Sequence, residues 1–415
     1  MSASSRDEKP FQPMHGVRIV DFSTNMAGPF ATMILAQLGA DVIKVETASG
    51  DDARAWPPIV DGQGITHRHM NAGKRGIVLD LKVAEGQAVA LDLVACSHVL
   101  LQSMRPGTAD RIGIGEAAVR AVNPDILYYA LSAFGDGPTG RGMPGYDPLV
   151  QAYSGVMAMN GHEGSPPARC APSLIDLGTG QWIAMGILAA TLAAARGVAV
   201  RAMDTALFDT ALSVVPYQAA SAKRTGQRPP RAGSGNPIAA PYQCYLAVDG
   251  DVMIAAPSER LWLKLIAVLG APQLAQEARF RTVADRAANN AELTAALSAI
   301  LATETVQHWV DKLTAAGVPA TKVQGLHESV SGAIACERRS FLDNDGLSLV
   351  RLPWLVDGAP LGWSGPAPRL GEHTIEVLRE LGYGEQRIES LLGSGAATAE
   401  SGAGVATETA HANVS

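Results

Sequence analysis

Val17-Arg-Ile-Val-Asp-Phe22, Pro29-Phe-Ala-Thr-Met-Ile-Leu-Ala-Gln-Leu38 and Asp41-Val-Ile-Lys-Val-Glu46 follow one another near the start of the chain. The outer two are short apolar runs with the texture of buried strands, and the middle one has helical spacing, so together they read as a βαβ unit. The pattern returns with a strand at Ile77 to Leu81, a helix near Glu85 to Ala95, and the strands Val99-Leu-Leu-Gln-Ser103 and Ile126-Leu-Tyr-Tyr-Ala-Leu-Ser132. Alternation of this kind predicts an α/β chain: a parallel sheet with helices on both faces and ligands beyond the C-terminal strand ends.

Gly135-Asp-Gly-Pro-Thr-Gly-Arg-Gly-Met-Pro-Gly145 is dense in turn formers and reads as a loop over a site rather than a linker between domains. Helices are expected from about Asp147 to Met159, Leu177 to Ala195 and Ala202 to Ala222. The run Thr225-Gly-Gln-Arg-Pro-Pro-Arg-Ala-Gly-Ser-Gly-Asn-Pro237 is the candidate domain boundary. Beyond it, Tyr242 to Val248 and Val252 to Ala256 flank Asp249-Gly250, a hairpin signal. Helical stretches at Glu259 to Leu269, Ala291 to Thr303 and Val306 to Ala316 complete a small α+β domain. From Gly393 onward the chain is rich in Gly, Ala, Thr, Ser and Glu without apolar periodicity, the composition of a disordered tail.

A chain of 415 residues exceeds one compact core, so two domains are the default. With 47% hydrophobic and 18% charged residues it has the balance of a globular enzyme. A formal charge of −7 gives no general attraction to nucleic acid or acidic membranes. The four cysteines are scattered with no Cys-x-x-Cys pair, which points to neither zinc nor disulfides and fits a cytoplasmic setting. Met1 to Pro10 lacks an apolar signal core, and the uncharged run Trp182 to Ala195 is too short for a bilayer, so neither export nor a membrane span is expected.

Asp176 stands just ahead of that uncharged run, in Pro172-Ser-Leu-Ile-Asp-Leu-Gly-Thr-Gly180. Two roles are open to it. An Asp before a helix caps the first free amides. A dehydrated carboxylate also becomes more basic and can attack a carbonyl carbon, with Gly178 and Gly180 letting backbone N–H groups approach the resulting oxyanion.

Other motifs are weaker. The first strand–turn–helix has Thr24-Asn-Met-Ala-Gly-Pro29 in place of Gly-x-Gly-x-x-Gly, so a dinucleotide is disfavoured. Asn71-Ala-Gly-Lys-Arg75 has neither the glycine five residues earlier nor the Ser or Thr that a phosphate loop needs. His67 and His69 complete no ligand set, and no metal is assigned; His162, in the loop Asn160 to Arg169, is open as a base near Asp176 but reads as a surface histidine.

Three segments together carry a resemblance. Gly16-Val-Arg-Ile-Val-Asp-Phe-Ser23 with Ala27-Gly-Pro-Phe-Ala31 and Leu38-Gly-Ala-Asp-Val-Ile-Lys-Val-Glu46 come first. Asn71-Ala-Gly-Lys-Arg75 with Leu79-Asp-Leu-Lys82, and Arg105-Pro-Gly-Thr-Ala-Asp-Arg111, follow in order. They closely resemble the family III CoA-transferases, the carnitine dehydratase/bile-acid-inducible protein family that includes formyl-CoA transferase and alpha-methylacyl-CoA racemase. The likeness continues through Gly145-Tyr-Asp147, Ser173-Leu-Ile-Asp176, Ala239-Ala-Pro-Tyr242 and Ala316-Gly-Val-Pro-Ala320, covering about Gly16 to Leu392.

The resemblance implies that Asp176 attacks an acyl-CoA thioester to form a mixed anhydride and release CoA thiolate. A thiol of pKa about 8.5 leaves readily, so one shielded carboxylate suffices. The likeness places Met26 and Ala27 at the thioester end, Asn71, Gly73, Lys74 and Arg75 at the nucleotide, and Arg105 and Arg111 at the phosphates. For each of these cations a solvated surface role is the competing reading. Coenzyme A enters as a substrate, with no permanently bound cofactor. Met26 stands where formyl-CoA transferases carry glutamine, and Ser234-Gly-Asn-Pro-Ile-Ala-Ala-Pro241 replaces their glycine-rich flap, which leaves formyl or oxalyl specificity open. Tyr146 occupies the histidine position of the racemase branch, and a phenol of pKa about 10 is a poor base at neutral pH. In the substrate site Tyr146 is expected to hydrogen-bond the acyl group and Asp147 to sit beside the nucleophile; the alternative for both is to start a helix. Arg169 is a candidate for the carboxylate of an acidic cosubstrate.

The expected architecture, by resemblance, is a ring-like subunit in an interlocked homodimer. A Rossmann-like large domain (residues 16–224 and 340–392) would bind CoA. The small α+β domain would span 225–339 with its linkers near 225–237 and 343–353, between a flexible N-terminus (1–15) and the tail (393–415). The expected activity is acyl-CoA:carboxylate CoA transfer; the alternatives are an alpha-methylacyl-CoA racemase or epimerase and a non-catalytic CoA-binding subunit.

Overall fold

The computed structural model describes residues 11–400, which divide into two compact units: residues 11–150, 172–214 and 339–400 in the first, and 151–171 with 215–338 in the second. The first unit is built on the predicted alternation. It contains β1 (Arg18–Phe22), α1 (Ala27–Gln37), β2 (Asp41–Glu46), β3 (Arg75–Leu79), α2 (Ala84–Ala95), β4 (Val99–Gln102) and β5 (Leu127–Ser132). It continues with the start of α3 (Asp147–Ser154), α4 (Leu174–Ala195), β6 (Ala202–Ala206), α5 (Leu207–Ser213) and β7 (Ala397–Thr398). The sheet order is β7-β3-β2-β1-β4-β5-β6, with β7 antiparallel to β3 and all other neighbours parallel. Strand order reverses between β1 and β4, so their C-terminal ends open a crevice where doubly wound sheets bind ligands.

Period-2 alternation in buried strands decides what each face carries. Val20, Phe22, Ile43, Val45, Ile77, Leu79 and Leu100 pack with Val89 and Leu93 of α2 and with Val377, Leu378, Ile388 and Leu391 from the C-terminal segment in one core. The opposite face holds Asp21 and Lys44, paired across β1 and β2 in register. Helix α1 is buried on nearly every side and packs against α4. The close approach requires Gly180, where a Cβ would meet Ala27 O at 2.6 Å and Phe30 at 3.0 Å.

Three expectations change. Ala202–Ala206, expected as helix, is the edge strand β6, and Pro216 then starts a separate helix, Pro216–Thr225. Nothing in Ala-Met-Asp-Thr-Ala marks a strand except alternation of exposure, which tertiary pairing with β5 supplies. Residues 393–400, assigned to the tail by composition, include β7, whose Ala397 and Thr398 pair with Leu79 and Val78. Within the N-terminal stretch expected to be flexible, Met14 is buried and its N–H donates to Leu38 O at 2.9 Å. Residues 1–10 and 401–415 of the two expected flexible ends lie outside the described residues.

Helix α4 is 22 residues long, starting three residues before the expected Leu177, and, contrary to what the Trp182–Ala195 run suggested, is apolar and long enough to cross a membrane by length and composition. One side of it is buried, at Ile175, Thr179, Gly180, Ile183, Ala184 and Ile187, while Trp182, Met185 and Leu192 on the other are about half exposed.

The second unit has a three-stranded sheet in which Gly250–Ala255 pairs antiparallel with both Tyr242–Ala247 and Ala320–Lys322. Its core joins Tyr245, Val252 and Ile254 to Trp262, Leu265, Leu297 and Trp309 from the helices Glu259–Val268, Asn290–Leu301 and Val306–Ala315.

Candidate active site

A cavity of about 280 Å³ lies at the crevice between β1 and β4 and reaches the ends of β5 and β6. Thr24, Met26 and Ala27 follow β1, Ser103 follows β4, Ser132 and Ala133 end β5, and Leu207 follows β6. Thr24 N–H donates to Ser103 Oγ at 3.1 Å, tying the two sides of the switch point together. Gly145, at the end of the glycine-rich loop, lines the same space, with Tyr146, Asp147 and Asp176.

Asp176 sits in the first turn of α4, yet it does not cap that helix. Asp147 does: its Oδ2 accepts the N–H of Ile175 at 2.8 Å and of Asp176 at 3.2 Å, while Leu174 N–H donates to Pro172 O at 2.8 Å. With the helix start satisfied from α3, the Asp176 carboxylate is left with no hydrogen bond or ion pair among the described residues. Burial first, and the Asp147 charge second, push its pKa up to about 7. A carboxylate in that state is half ionised at neutral pH, poorly solvated and basic, the condition for nucleophilic use.

The oxyanion role expected of Gly178 and Gly180 does not hold. Both lie inside α4, where backbone N–H groups bond to carbonyls four residues earlier, and their missing Cβ atoms serve packing against Thr210 and α1. The open amides belong to α1 instead. Its first turn lacks a side-chain cap, Pro29 has no N–H, and Ala27 lines the cavity.

Beneath the cavity floor is a buried ionic network that the sequence reading did not single out. Lys44 Nζ donates to Asp51 Oδ2 and to Ser23 O, both at 2.9 Å. Both oxygens of Asp51 accept Asn25 N–H, at 3.1 and 3.2 Å, holding Asn25 at φ 68° just before Met26. Asp21 accepts from Ser23, Thr32 and Lys74, and Arg54 pairs with Glu46. Burial alone would raise the pKa of Asp21, but Lys74 and Lys44 outweigh it and hold the carboxyl below its ordinary value. The signal was present: Asp21, Lys44 and Glu46 are charges inside otherwise apolar strands, and buried charges are paired.

The structure sorts the expected site residues. Met26, Ala27, Tyr146 and Asp147 gather around Asp176, Tyr146 well exposed and Asp147 buried. Arg105 is exposed and lines a neighbouring cavity of about 520 Å³, which shares Leu131 and Ser132 with the first. Arg111 is exposed and donates to Thr108 Oγ1 at 3.3 Å.

Four residues assigned to the CoA nucleotide are occupied elsewhere. Lys74 has a fully buried side chain whose three N–H donors go to Asp21, Pro29 O and Asn71 Oδ1, leaving none for a phosphate. Asn71, also buried, gives its amide to His67 O at 3.1 Å. Gly73, at φ 79°, packs so tightly that a Cβ would collide with Ser364 Oγ. Arg75 begins β3, at the N-terminal edge of the sheet and so at the opposite end of the strands from the cavity, and is bound by Asp41, Glu376 and Glu380. Arg169, in the second unit, donates to the carbonyls of Cys170 and Ala171. Among the described residues no group of three or more His, Cys, Asp or Glu side chains is arranged to hold a metal ion.

Known proteins of similar sequence and shape bear on this arrangement. Acetyl-CoA:oxalate CoA-transferase of Acetobacter aceti is 33% identical over 383 residues, covering 91% of this chain and 98% of that one. Succinate–glutarate CoA-transferase of Agrobacterium fabrum is 32% identical over 387 residues, covering 89% and 96%. Among solved structures, a CAIB/BAIF family protein from Brucella suis superposes with a TM-score of 0.79 at 31% identity, covering 89% of this chain and 99% of its own. The match to CoA-transferase family III runs over residues 14–374, taking in the crevice, the capped α4 and Asp176, and the chain therefore belongs to that family as an enzyme that transfers CoA.

Proposed function

We propose that the enzyme moves CoA between carboxylic acids through a mixed anhydride on Asp176. The observation that carries this reading is a partly buried carboxylate at the switch-point cavity whose helix-capping work is done by another residue. An Asp176 oxygen attacks the thioester carbonyl, the C–S bond breaks, and CoA leaves as thiolate. The oxyanion formed on the way faces the uncapped first turn of α1, whose free N–H groups and dipole favour negative charge.

Transfer then requires the thiolate to attack the aspartyl carbonyl, releasing the donor acid and leaving CoA as a thioester on Asp176. The acceptor carboxylate attacks that thioester, and the thiolate finally takes the acceptor's acyl group. The apolar wall of Leu131, Ala133 and Leu207 excludes water that would hydrolyse either intermediate. The adjoining cavity with Arg105 at its edge supports a place for the rest of CoA, the guanidinium meeting a phosphate. Racemisation finds less support, because no histidine is among the described residues that line the Asp176 cavity. The exposed Trp182, Met185 and Leu192 on α4 support assembly as a homodimer, since apolar groups of that size gain from burial against a second copy.

Oxygen labelling tests the covalent route. Each turnover carries one oxygen of the acceptor acid into the Asp176 carboxylate, so ¹⁸O-labelled acceptor in unlabelled water should enrich the peptide bearing Asp176. CoA transfer that leaves this peptide unlabelled would mean direct exchange without an enzyme anhydride.

A further inference from the structure

Asp51 is not among the described residues that line the Asp176 cavity, yet it ties together two stretches that are. Its side chain is fully buried and paired with Lys44 at 2.9 Å. Oδ1 accepts the N–H of Asn25 at 3.1 Å and of Ala53 at 3.0 Å, and Oδ2 accepts Asn25 N–H at 3.2 Å. The contact with Asn25 fixes the residue ahead of Met26 and the uncapped first turn of α1. The contact with Ala53 caps the 3-10 turn Asp52–Ala55, which delivers Trp56 to the same cavity. Glu46 braces the arrangement, its Oε1 accepting Asp51 N–H at 2.8 Å and Arg54 Nε at 2.9 Å. Every bond involved joins residues of one unit.

Asn25 is held at φ 68°, in the left-handed region that an Asn adopts as a single residue with local support. Without its acceptor the turn would relax and carry the α1 amides with it, and a misplacement of about 1 Å at a reacting centre costs about 100-fold in rate. We propose that Asp51 is a positioning residue for acyl transfer. It aims the first turn of α1 and Trp56 at the carbonyl that Asp176 attacks, and so acts on the chemical step rather than on CoA affinity. This rests on Asp176 as the nucleophile and adds the group that sets the geometry around it.

Two variants separate positioning from plain support, both carrying Lys44→Met so that no buried ammonium loses its partner. Asp51→Asn keeps an oxygen that can accept from Asn25 and Ala53, and Asp51→Ala removes it. Single-turnover acylation of Asp176 by an acyl-CoA that supports turnover is read by mass spectrometry. It should stay within about tenfold of the parent rate for the first variant and fall by about 100-fold for the second. CoA affinity measured by calorimetry should change by less than about threefold in either, the split expected of a group that serves the transition state. Asp51→Ser in the same background can cap Ala53 N–H, but its side chain is one bond too short for Asn25. It should be as slow as the alanine variant, and it replaces that variant if the alanine chain does not fold. Equal acylation rates for folded asparagine and serine variants, or a loss of CoA affinity that matches the loss of rate, would overturn the positioning role. Turnover by the unaltered enzyme with no adduct on Asp176 would instead overturn the covalent reading beneath it.

Discussion

Asp21, buried, and Asp176, partly buried, are two aspartates of one unit in opposite electrostatic settings. Asp21 accepts hydrogen bonds from Ser23, Thr32 and Lys74 and is held below its ordinary pKa because Lys74 and Lys44 outweigh the cost of burial. Asp176 has only burial and the like charge of Asp147, and rises to about 7. The first is a strut, ionised and satisfied. The second is a carboxylate kept reactive because no cation answers it, and the difference lies in the neighbours rather than the residue type.

The largest break in that comparison is Asp176→Ala. Turnover should fall by at least about 1,000-fold while CoA binding is retained, as for a group acting in the transition state alone. Steady-state rates with calorimetric CoA binding check this, and retained turnover contradicts it.

Lys74→Met attacks the other member. It takes the ion-pair partner from buried Asp21, leaving the Ser23 and Thr32 hydrogen bonds and the Lys44 charge, which should lower unfolding free energy by about 3 kcal/mol in urea titrations. The two sites also differ in the sign of their pH dependence. Asp21, with a lowered folded pKa, stabilises the fold above its unfolded value, near 3.9, and that contribution is lost as pH falls through the folded value. Asp176, with a raised folded pKa, favours folding only below its unfolded value and opposes it as pH rises through about 7. Asp176→Asn should thus be more stable than the parent by about 2 kcal/mol at a pH of about 8, allowing for partial exposure, by about a third of that at about 5, and nearly equal to it below about 4. A constant difference across that range would mean that the carboxylate is not strained by burial.

Asp147→Asn sharpens the account at the site. Its amide oxygen can still cap α4, but the like charge is gone, so the acid limb of the acylation rate should move below pH 7 without loss of the fold. An unmoved midpoint in single-turnover pH profiles would remove Asp147 from the electrostatics. Arg105→Ala is expected to have the smallest effect, raising KM for the CoA donor about tenfold with little change in kcat, as for an exposed charge-assisted contact.

Much of the large unit was legible. The apolar strands, the periodic helices and the turn after Phe22 follow from local chemistry, and Asp176 stood out as a charge before an apolar helix. What local sequence could not carry was long-range satisfaction. Which aspartate caps α4 depends on Asp147, 29 positions away, and whether Lys74 meets a phosphate or Asp21 depends on a partner 53 positions away. Asn71, Lys74 and Arg75 share one short motif, yet one strand direction sends Arg75 to the edge opposite the cavity while the other two close a buried network. The edge strand β6 escaped for a similar reason, because pairing with β5 and not its own composition makes it a strand.

Hydroxylamine trapping tests the central claim most directly. Enzyme incubated with an acyl-CoA that supports turnover, then treated with hydroxylamine and digested, should yield a hydroxamate on Asp176 and none when the donor is omitted. Continued CoA transfer with Asp176 unmodified, or a hydroxamate formed on another carboxylate, would contradict the account.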